Sequence, residues 1–389
     1  MNEGDLPLAK PGHDVWWHND PPGEAMNPLF SPLTLGTLTL ANRIVIPPMC
    51  QYSAIDGQVG DWHRMHLGSL SVSGAGLLIL EAAAIAPEGR ISPLDLGLWS
   101  DDTEQALGRV LDSIKGYAQV PLGIQLAHAG RKASCRPPWE GGRQLPLVEG
   151  GWGTVSSSPL PFEQEDRPPE ALTLEEIPGI VAAFVRAAER ADRLGFKVIE
   201  LHAAHGYLLH QFLSPLANHR EDAYGGSLPN RMRLTLEVFR SLRRVLSPDR
   251  VLGVRISATD WVEGGWDLAQ SLVLAAALKE LGCDYIDVSS GGLSPLQQIH
   301  LRPGYQVPFA ARIKRETGLP TIAVGLITEP EQAAAIVATG QADMVAVGRG
   351  MLYDPRWPWH AAAALGASVK APPQYLRSQP QGLKELFLK

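Results

Sequence analysis

The feature that most constrains the fold is a series of eight short, β-rich apolar runs that alternate with segments of helical period. The runs are Arg43–Ile46, Leu77–Glu81, Leu122–Leu126, Lys197–Leu201, Val251–Ile256, Tyr285–Val288, Thr321–Val324 and Met344–Val347. Helices are predicted between most of them, over Ile177–Arg193, Arg231–Val245, Asp267–Leu281 and Glu329–Ala338. Strands of this kind, which do not alternate in polarity, are typical of parallel sheets buried on both faces. The pattern predicts an α/β fold, a single-domain (β/α)₈ TIM barrel.

A doubly wound open sheet is the competing fold for this alternation. The only G-x-G sequence near a predicted strand, Gly74-Ala75-Gly76, comes before that strand. A dinucleotide-binding fingerprint follows its strand and opens a helix, so this order favours the barrel.

The barrel is predicted to occupy residues 26–365, between two segments of different character. Residues 1–25 are rich in Pro, Gly, Asp and Asn without a period, which indicates a flexible N-terminal extension. Residues 366–389 are predicted to form a separate C-terminal tail. The long connection after the third strand, residues 142–169, is expected to carry a short hairpin and to cover part of the site.

Composition excludes several classes of protein. A net charge of −7 argues against a general nucleic-acid surface. No apolar run reaches roughly 18 residues, so no membrane span is predicted, and the acidic N-terminus lacks a signal-peptide core. Three cysteines without a CxxC spacing argue against a disulfide framework, structural zinc or a cysteine-held iron–sulfur cluster. The prediction is a cytoplasmic protein.

Side chains able to do chemistry cluster at the carboxyl ends of the predicted strands, where barrel active sites lie. Pro47-Pro48-Met49-Cys50-Gln51-Tyr52 follows the first strand, Gln125 ends the third, His202, His205 and Tyr207 end the fourth, and Arg255 lies in the fifth. Two imidazoles and a phenol can bind a carbonyl oxygen and deliver a proton beside it.

The last two strands predict a phosphate site. Each is followed by a glycine, and an arginine directly follows the second glycine: Gly325, Gly348 and Arg349. Glycines, an arginine and helix N-termini together form a phosphate cradle; Thr328 is predicted to cap one helix, and Arg349 can bind a phosphate bidentately. A phosphate at one edge and the cation Arg255 across the mouth suit FMN.

These motifs resemble the old yellow enzymes, FMN-dependent ene-reductases, and in particular their thermophilic-like and xenobiotic-reductase subclass. The matching motifs are Pro47 to Tyr52, Gly123 to Lys132, His202 to Tyr207, Tyr224-Gly225-Gly226-Ser227 with Asn230-Arg231, and Gly348-Arg349. The resemblance implies flavin contacts from Pro47, Pro48, Met49, Cys50, Ala82, Gln125, Arg255, Gly325, Gly348 and Arg349. It implies substrate contacts from Cys50, Tyr52, His202, His205 and Tyr207.

The resemblance also implies an activity. NADPH or NADH would pass hydride to FMN and leave, and an α,β-unsaturated carbonyl compound would take its place in a ping-pong cycle. His202 and His205 would bind the carbonyl oxygen while Tyr207 donates the proton, and Cys50 would tune the redox potential. In this subclass a C-terminal arginine, here Arg377, reaches into the neighbouring subunit's site, which implies a homodimer or a dimer of dimers.

Three alternatives remain at this point. His202 and His205 could belong to a zinc site with Glu200, which shares their side of the strand. A flavin-free lyase or aldolase would need a lysine at a strand end, whereas Lys197 lies at a strand start. A flavin redox sensor could use Cys50 without turnover.

Overall fold

The barrel strands form as the sequence predicts. The computed structural model describes residues 27–388, so the predicted extension of residues 1–25 and the domain start at Met26 lie outside the described residues. The strands, numbered here by their place in the barrel, are β1 Ile44–Ile46, β2 Leu77–Ala84, β3 Leu122–Ala127, β4 Val198–Ala203, β5 Val251–Ser257, β6 Tyr285–Ser289, β7 Thr321–Val324 and β8 Met344–Ala346. They pair in parallel and in chain order, and β8 closes on β1.

Helices surround the barrel. The principal ones are α1 Asp61–Ser71, α2 Asp101–Lys115, α3 Ile177–Arg193, α4 Leu228–Val245, α5 Leu268–Glu280, α6 Val307–Thr317, α7 Pro330–Ala338 and α8 Trp357–Ala364. Two short helices, Leu208–Leu213 and Arg349–Tyr353, follow β4 and β8 directly. No helix among the described residues is both long enough and apolar enough to cross a bilayer.

The inside of the barrel changes from apolar to polar along its axis. A hairpin of Leu33–Leu35 and Leu38–Leu40 contributes Leu35 and Leu40 to a cluster with Val198, Val251 and other inward-facing residues near the strand starts. Side chains two residues apart on a strand share a face. Farther along β4 and β5 the inward positions therefore carry polar side chains instead, which places the chemistry at the carboxyl ends.

The connection after β3 differs from the expected hairpin. Its two short strands, Val155–Ser156 and Glu170–Ala171, pair in parallel, so the hairpin prediction is wrong. The chain between them contains Pro159, Pro161 and Pro168, which lack the N–H groups that an antiparallel return would need. The guanidinium of Arg167 donates to the carbonyls of Leu145 and Trp152 and holds this loop together.

The C-terminal tail folds back on the last helix. Val369–Lys370 pairs in parallel with Phe387–Leu388, and a 3₁₀ helix spans Pro373–Ser378 between them. The rings of Tyr375 and Phe387 pack on Trp359 at centroid distances of 5.8 and 4.9 Å. The tail is thus anchored by aromatic contacts.

Candidate active site

The two histidines and the tyrosine singled out in the sequence lie together at the end of β4. The His202 ring centroid is 5.2 Å from that of His205 and 4.9 Å from that of Tyr207, with the rings nearly perpendicular in both pairs. Because β4 extends two residues beyond its predicted end, His202 is within the strand and fully inward-facing, while His205 and Tyr207 lie on the loop.

His202 is a neutral hydrogen-bond donor. Burial, followed by the charge of Arg255, holds the pKa of its imidazole well below the usual value. Its Nδ1 accepts from the backbone N–H of Ala204 at 3.3 Å. A neutral ring with an acceptor at Nδ1 carries its proton on Nε2, which leaves that N–H available to a ligand.

His205 is held in an uncommon backbone conformation. Its φ is +56°, in the left-handed region that histidine occupies more readily than most residues. Its N–H donates to Ser257 Oγ at 2.9 Å, and its Nε2 lies 2.7 Å from Ser289 Oγ. Burial and then the charge of Arg255 also lower the pKa of His205 well below normal, so both imidazoles are uncharged.

Lys132 was not identified from the sequence as a site residue, although its ammonium group holds the loop that carries His205 and Tyr207. Its Nζ donates to the carbonyl oxygens of His205 at 3.0 Å and Gly292 at 2.8 Å, and lies 5.3 Å from the Tyr207 ring centroid. Burial, with the adjacent charge of Arg131, lowers the pKa of Lys132 to about 8. The only sequence signal was its position shortly after β3, because the contacts join residues far apart in the chain.

A second missed group supports the loop from the protein interior. The N–H of Gly206 donates to His210 Nδ1 at 2.9 Å, and His210 Nε2 lies 2.9 Å from Asp260 Oδ1. Both side chains are fully buried. Nδ1 is an acceptor here, so Nε2 carries the proton and faces the carboxylate, which fixes the ring and the loop above it.

Cys50 and Tyr52 lie beside Tyr207, on the loop after β1. Burial first, and then the charges of Asp95 and Glu81, raise the pKa of the Cys50 thiol well above its usual value, so the thiol stays protonated. The backbone of Ala82 on β2 and the side chain of Tyr52 are its polar neighbours. Desolvation also raises the pKa of Tyr207 well above normal, which keeps this phenol protonated.

A cavity of about 310 Å³ opens at the mouth beside these residues. It brings together seven of the predicted flavin contacts: Pro47, Pro48, Met49, Arg255, Gly325, Gly348 and Arg349. Arg255 Nε lies 3.0 Å from Asp287 Oδ2, while among residues 27–388 its terminal nitrogens make no hydrogen bond. A buried cation facing a cavity, with an exposed arginine at the rim, fits a phosphate-bearing cofactor such as FMN.

The remaining predicted flavin contacts lie around this cavity instead of lining it. Cys50 and Ala82 are neighbours at its β1–β2 edge, and Gln125 is buried in the barrel interior, where its Nε2 donates to Glu200 Oε1 at 2.8 Å.

The predicted helix cap at Thr328 is wrong. Glu329 is the N-cap of α7, without a capping side-chain bond, and the Thr328 hydroxyl bonds to the Glu329 carboxylate at 3.1 Å. Pro330 favours the first helical position, which makes the residue before it the cap. The glycines and Arg349 remain as the predicted phosphate ligands.

The loop after β3 covers a second and larger cavity of about 700 Å³ next to the site. Tyr52 and Lys132 line it from the barrel side, and Phe162 and Arg167 from the loop. The Lys132 ammonium is 4.4 Å from the Phe162 ring centroid, so the loop directly covers Lys132 at the edge of the active site.

Two other candidates have a clear position in the structure. Arg377 is exposed on the 3₁₀ helix of the tail and lines neither of the two cavities at the site. Glu200, the third residue of the zinc alternative, has its carboxyl oxygens bonded to Gln125 and Tyr285. Across residues 27–388, no group of three or more His, Cys, Asp or Glu is placed to hold a metal ion.

Comparison with known proteins agrees with the barrel and its cavity. The model of the NADH:flavin oxidoreductase / NADH oxidase family matches residues 28–367. The chain is 44% identical over 351 residues to NADPH dehydrogenase of Geobacillus thermodenitrificans, covering 90% of this chain and 98% of that protein. It is 45% identical over 355 residues to NADPH dehydrogenase of Listeria innocua, covering 91% and 99%.

Solved structures place the chain in the same group. Morphinone reductase superposes with a TM-score of 0.73 at 31% identity, covering 88% of this chain and 91% of that one. A complex of morphinone reductase with tetrahydroNAD gives 0.72 at 29% identity, covering 93% and 98%. The chain therefore belongs to the NADH:flavin oxidoreductase family of old yellow enzymes and is an FMN-dependent NADPH oxidoreductase.

Proposed function

We propose that the protein is an ene-reductase that reduces the activated C=C bond of α,β-unsaturated carbonyl compounds. The observation that carries this proposal is the pair of neutral imidazoles, His202 and His205, packed beside the protonated phenol of Tyr207. Two neutral donors and a proton donor match a substrate whose oxygen gains charge while a neighbouring carbon gains a proton.

His202 and His205 bind and polarise the carbonyl oxygen. His202 presents Nε2–H for this purpose, since its Nδ1 is occupied by Ala204. Donors of this type act on charge that develops during the reaction, and removal of one costs about 3 kcal/mol. Tyr207 holds a proton next to the same oxygen site and releases it to the α-carbon.

The cofactor is held by residues from several strand ends. Gly325, Gly348 and Arg349 would bind the phosphate of FMN, and Pro47, Met49 and Arg255 would surround the ring. When bound, FMN supplies two-electron transfer between the nicotinamide and the alkene. The complex of morphinone reductase with tetrahydroNAD supports a nicotinamide as the hydride donor, which the alkene would follow in a ping-pong cycle.

The test is an anaerobic cycle with the purified, FMN-loaded protein. NADPH should bleach the flavin absorbance, and 2-cyclohexenone should restore it at a rate that depends on the enone concentration. Cyclohexanone, which has the carbonyl but no alkene, is the matched control and should leave the flavin bleached. A flavin that NADPH bleaches but that no enone reoxidises would instead favour the redox-sensor alternative based on Cys50.

A further inference from the structure

A buried charge cluster lies in the barrel interior one layer below the mouth. Glu200 on β4 is fully buried, and Asp287 on β6 is 1% exposed. Arg255 on β5 is the cation beside them, with its Nε 3.0 Å from Asp287 Oδ2. Two carboxyls that share one guanidinium in a closed interior cannot both be ionised without a large desolvation cost.

The groups that face Glu200 come from three strands: Gln125 from β3 and Arg255 from β5, the two neighbours of β4, and Tyr285 and Asp287 from β6, the next strand beyond β5. Gln125 Nε2 donates to Glu200 Oε1 at 2.8 Å, and the Tyr285 hydroxyl lies 2.9 Å from Oε2. The amide nitrogen of Gln125 thus faces Glu200, and its amide oxygen faces away.

The surroundings accommodate either protonation state of Glu200. The Tyr285 hydroxyl donates to the carboxylate or accepts from the protonated acid, so the contact between the two side chains exists in both states. Burial and then the charge of Asp287 raise the pKa of Glu200 to about 8, although Arg255 opposes the shift. Burial also raises the pKa of Asp287, but Arg255 lies 3.0 Å from this carboxylate and opposes the shift. The cluster is therefore close to electrically neutral at pH 7, with a proton on Glu200 and a charged pair of Arg255 and Asp287.

We propose that Glu200 balances the charge of cofactor reduction, taking up a proton when negative charge arrives next to Arg255, while its hydrogen bond to Gln125 orients that amide. The inference rests on the proposed binding of FMN in the cavity that Arg255 lines. In the reduction the C–H bond of NADPH breaks, and its hydrogen and electron pair pass to the cofactor. Above pH 8 one O–H bond then forms on Glu200 with a proton from water, which offsets the added charge.

The experiment measures the midpoint potential of the FMN-loaded protein from pH 6.5 to 9.5. Above pH 8 the midpoint potential of the wild type should fall more steeply with pH, because reduction takes up one additional proton for every two electrons. This is about 30 mV per pH unit, since a tenfold change in a two-electron equilibrium corresponds to that potential. Glu200→Gln, which preserves both hydrogen bonds without the titration, should keep the shallower slope throughout.

Two further variants make the test specific. Asp287→Asn removes the second carboxylate, so Glu200 should stay ionised beside Arg255 and the slope should again stay shallow; this variant also decides the matter if Glu200→Gln does not fold. Asp284→Asn is the matched control, since Asp284 precedes β6 at the opposite end of the barrel, bonded to Arg243 and the N–H of Leu252. It should retain the wild-type steepening.

The outcomes separate this inference from the proposed function. Identical slopes in the wild type and both cluster variants would overturn the role of Glu200, even if enones still reoxidised the flavin. Steepening that disappears in both cluster variants and persists in Asp284→Asn would support it, even in a protein that failed to reduce enones.

Discussion

At the scale of single residues, the protonation states of the site decide what it can do. Tyr207 stays protonated because burial raises its pKa, so it can act as an acid across the neutral range. We expect Tyr207→Phe to slow flavin reoxidation by an enone by about 10²- to 10⁴-fold, the usual contribution of a positioned general acid. Flavin reduction by NADPH should stay nearly unchanged in rapid-mixing measurements, because only the alkene step needs a proton at carbon. Equal slowing of both half-reactions would contradict this role.

Lys132 gives the site a predicted pH dependence. The pKa of its ammonium is lowered to about 8, so the charge beside the Tyr207 ring is present at pH 7 and lost as the pH rises through 8. The rate of reoxidation by an enone should therefore fall above pH 8 in the wild type. Lys132→Met should be slower by roughly tenfold at pH 7, equivalent to about 1.4 kcal/mol, and should lack the pH break.

The control for Lys132→Met is Lys115→Met, at the exposed end of α2, which should keep both the rate and the break. A pH break that persists in Lys132→Met would assign the titration to another group.

At the scale of structural elements, the loop between β4 and the short helix Leu208–Leu213 depends on a buried hydrogen bond from a neutral imidazole to a carboxylate. Asp260 holds His210, and His210 holds the N–H of Gly206. A hydrogen bond to a charged group typically contributes about 1.5–3 kcal/mol, so Asp260→Asn should lower the free energy of unfolding by about that amount. It should also weaken binding of a phenolate ligand, measured by the charge-transfer absorbance of the oxidised flavin, because the histidine loop would move.

An exposed pair of the same chemistry provides the comparison. His360 Nδ1 lies 2.6 Å from Asp354 Oδ2, with side chains 71% and 28% exposed. Exposed pairs contribute about 0–1 kcal/mol. Asp354→Asn should therefore change unfolding in denaturant very little, and an equal loss from both substitutions would show that burial is not the cause.

At the scale of the whole molecule, the tail and the first two helices form a surface that a second copy could cover. A groove of about 320 Å³ lies between Gly68 and Val72 on one side, Ile114 and Tyr117 on another, and Tyr375 of the tail. Arg377 lies on the same 3₁₀ helix as Tyr375 and is exposed. This arrangement supports the proposal that the protein forms a homodimer in which Arg377 completes the partner's site.

A hybrid dimer tests this proposal directly. Subunits carrying Arg377→Ala and subunits carrying His202→Ala should each be impaired alone. If the arginine acts across the interface, each hybrid dimer formed by co-expression should regain one of its two sites, which is about a quarter of all sites when the subunits pair at random. Lys384→Ala, another exposed cation of the tail, is the control and should have no effect. A fully active monomer in sedimentation experiments, or no recovery in the hybrid, would refute the shared site.

The sequence by itself determined the strand and helix order, because apolar periodicity reports burial directly. It also brought His202, His205 and Tyr207 to one strand end, and it marked the glycines and Arg349 after the last two strands. These features are local: each depends on a few neighbouring residues and on the rule that barrel sites lie at carboxyl ends.

Only the tertiary structure decided which distant groups meet. The bond from Lys132 to His205 joins residues 73 positions apart, and the bond from Gln125 to Glu200 joins residues 75 apart. Glu200 is the clearest example of a contact that the sequence could not show. Its spacing from His202 suggested a metal ligand, whereas closure of the barrel places its carboxyl group between Gln125 and Tyr285. Hydrogen bonds of this kind are set by which strands become neighbours and in which register, and that is a property of the closed barrel and of no single segment.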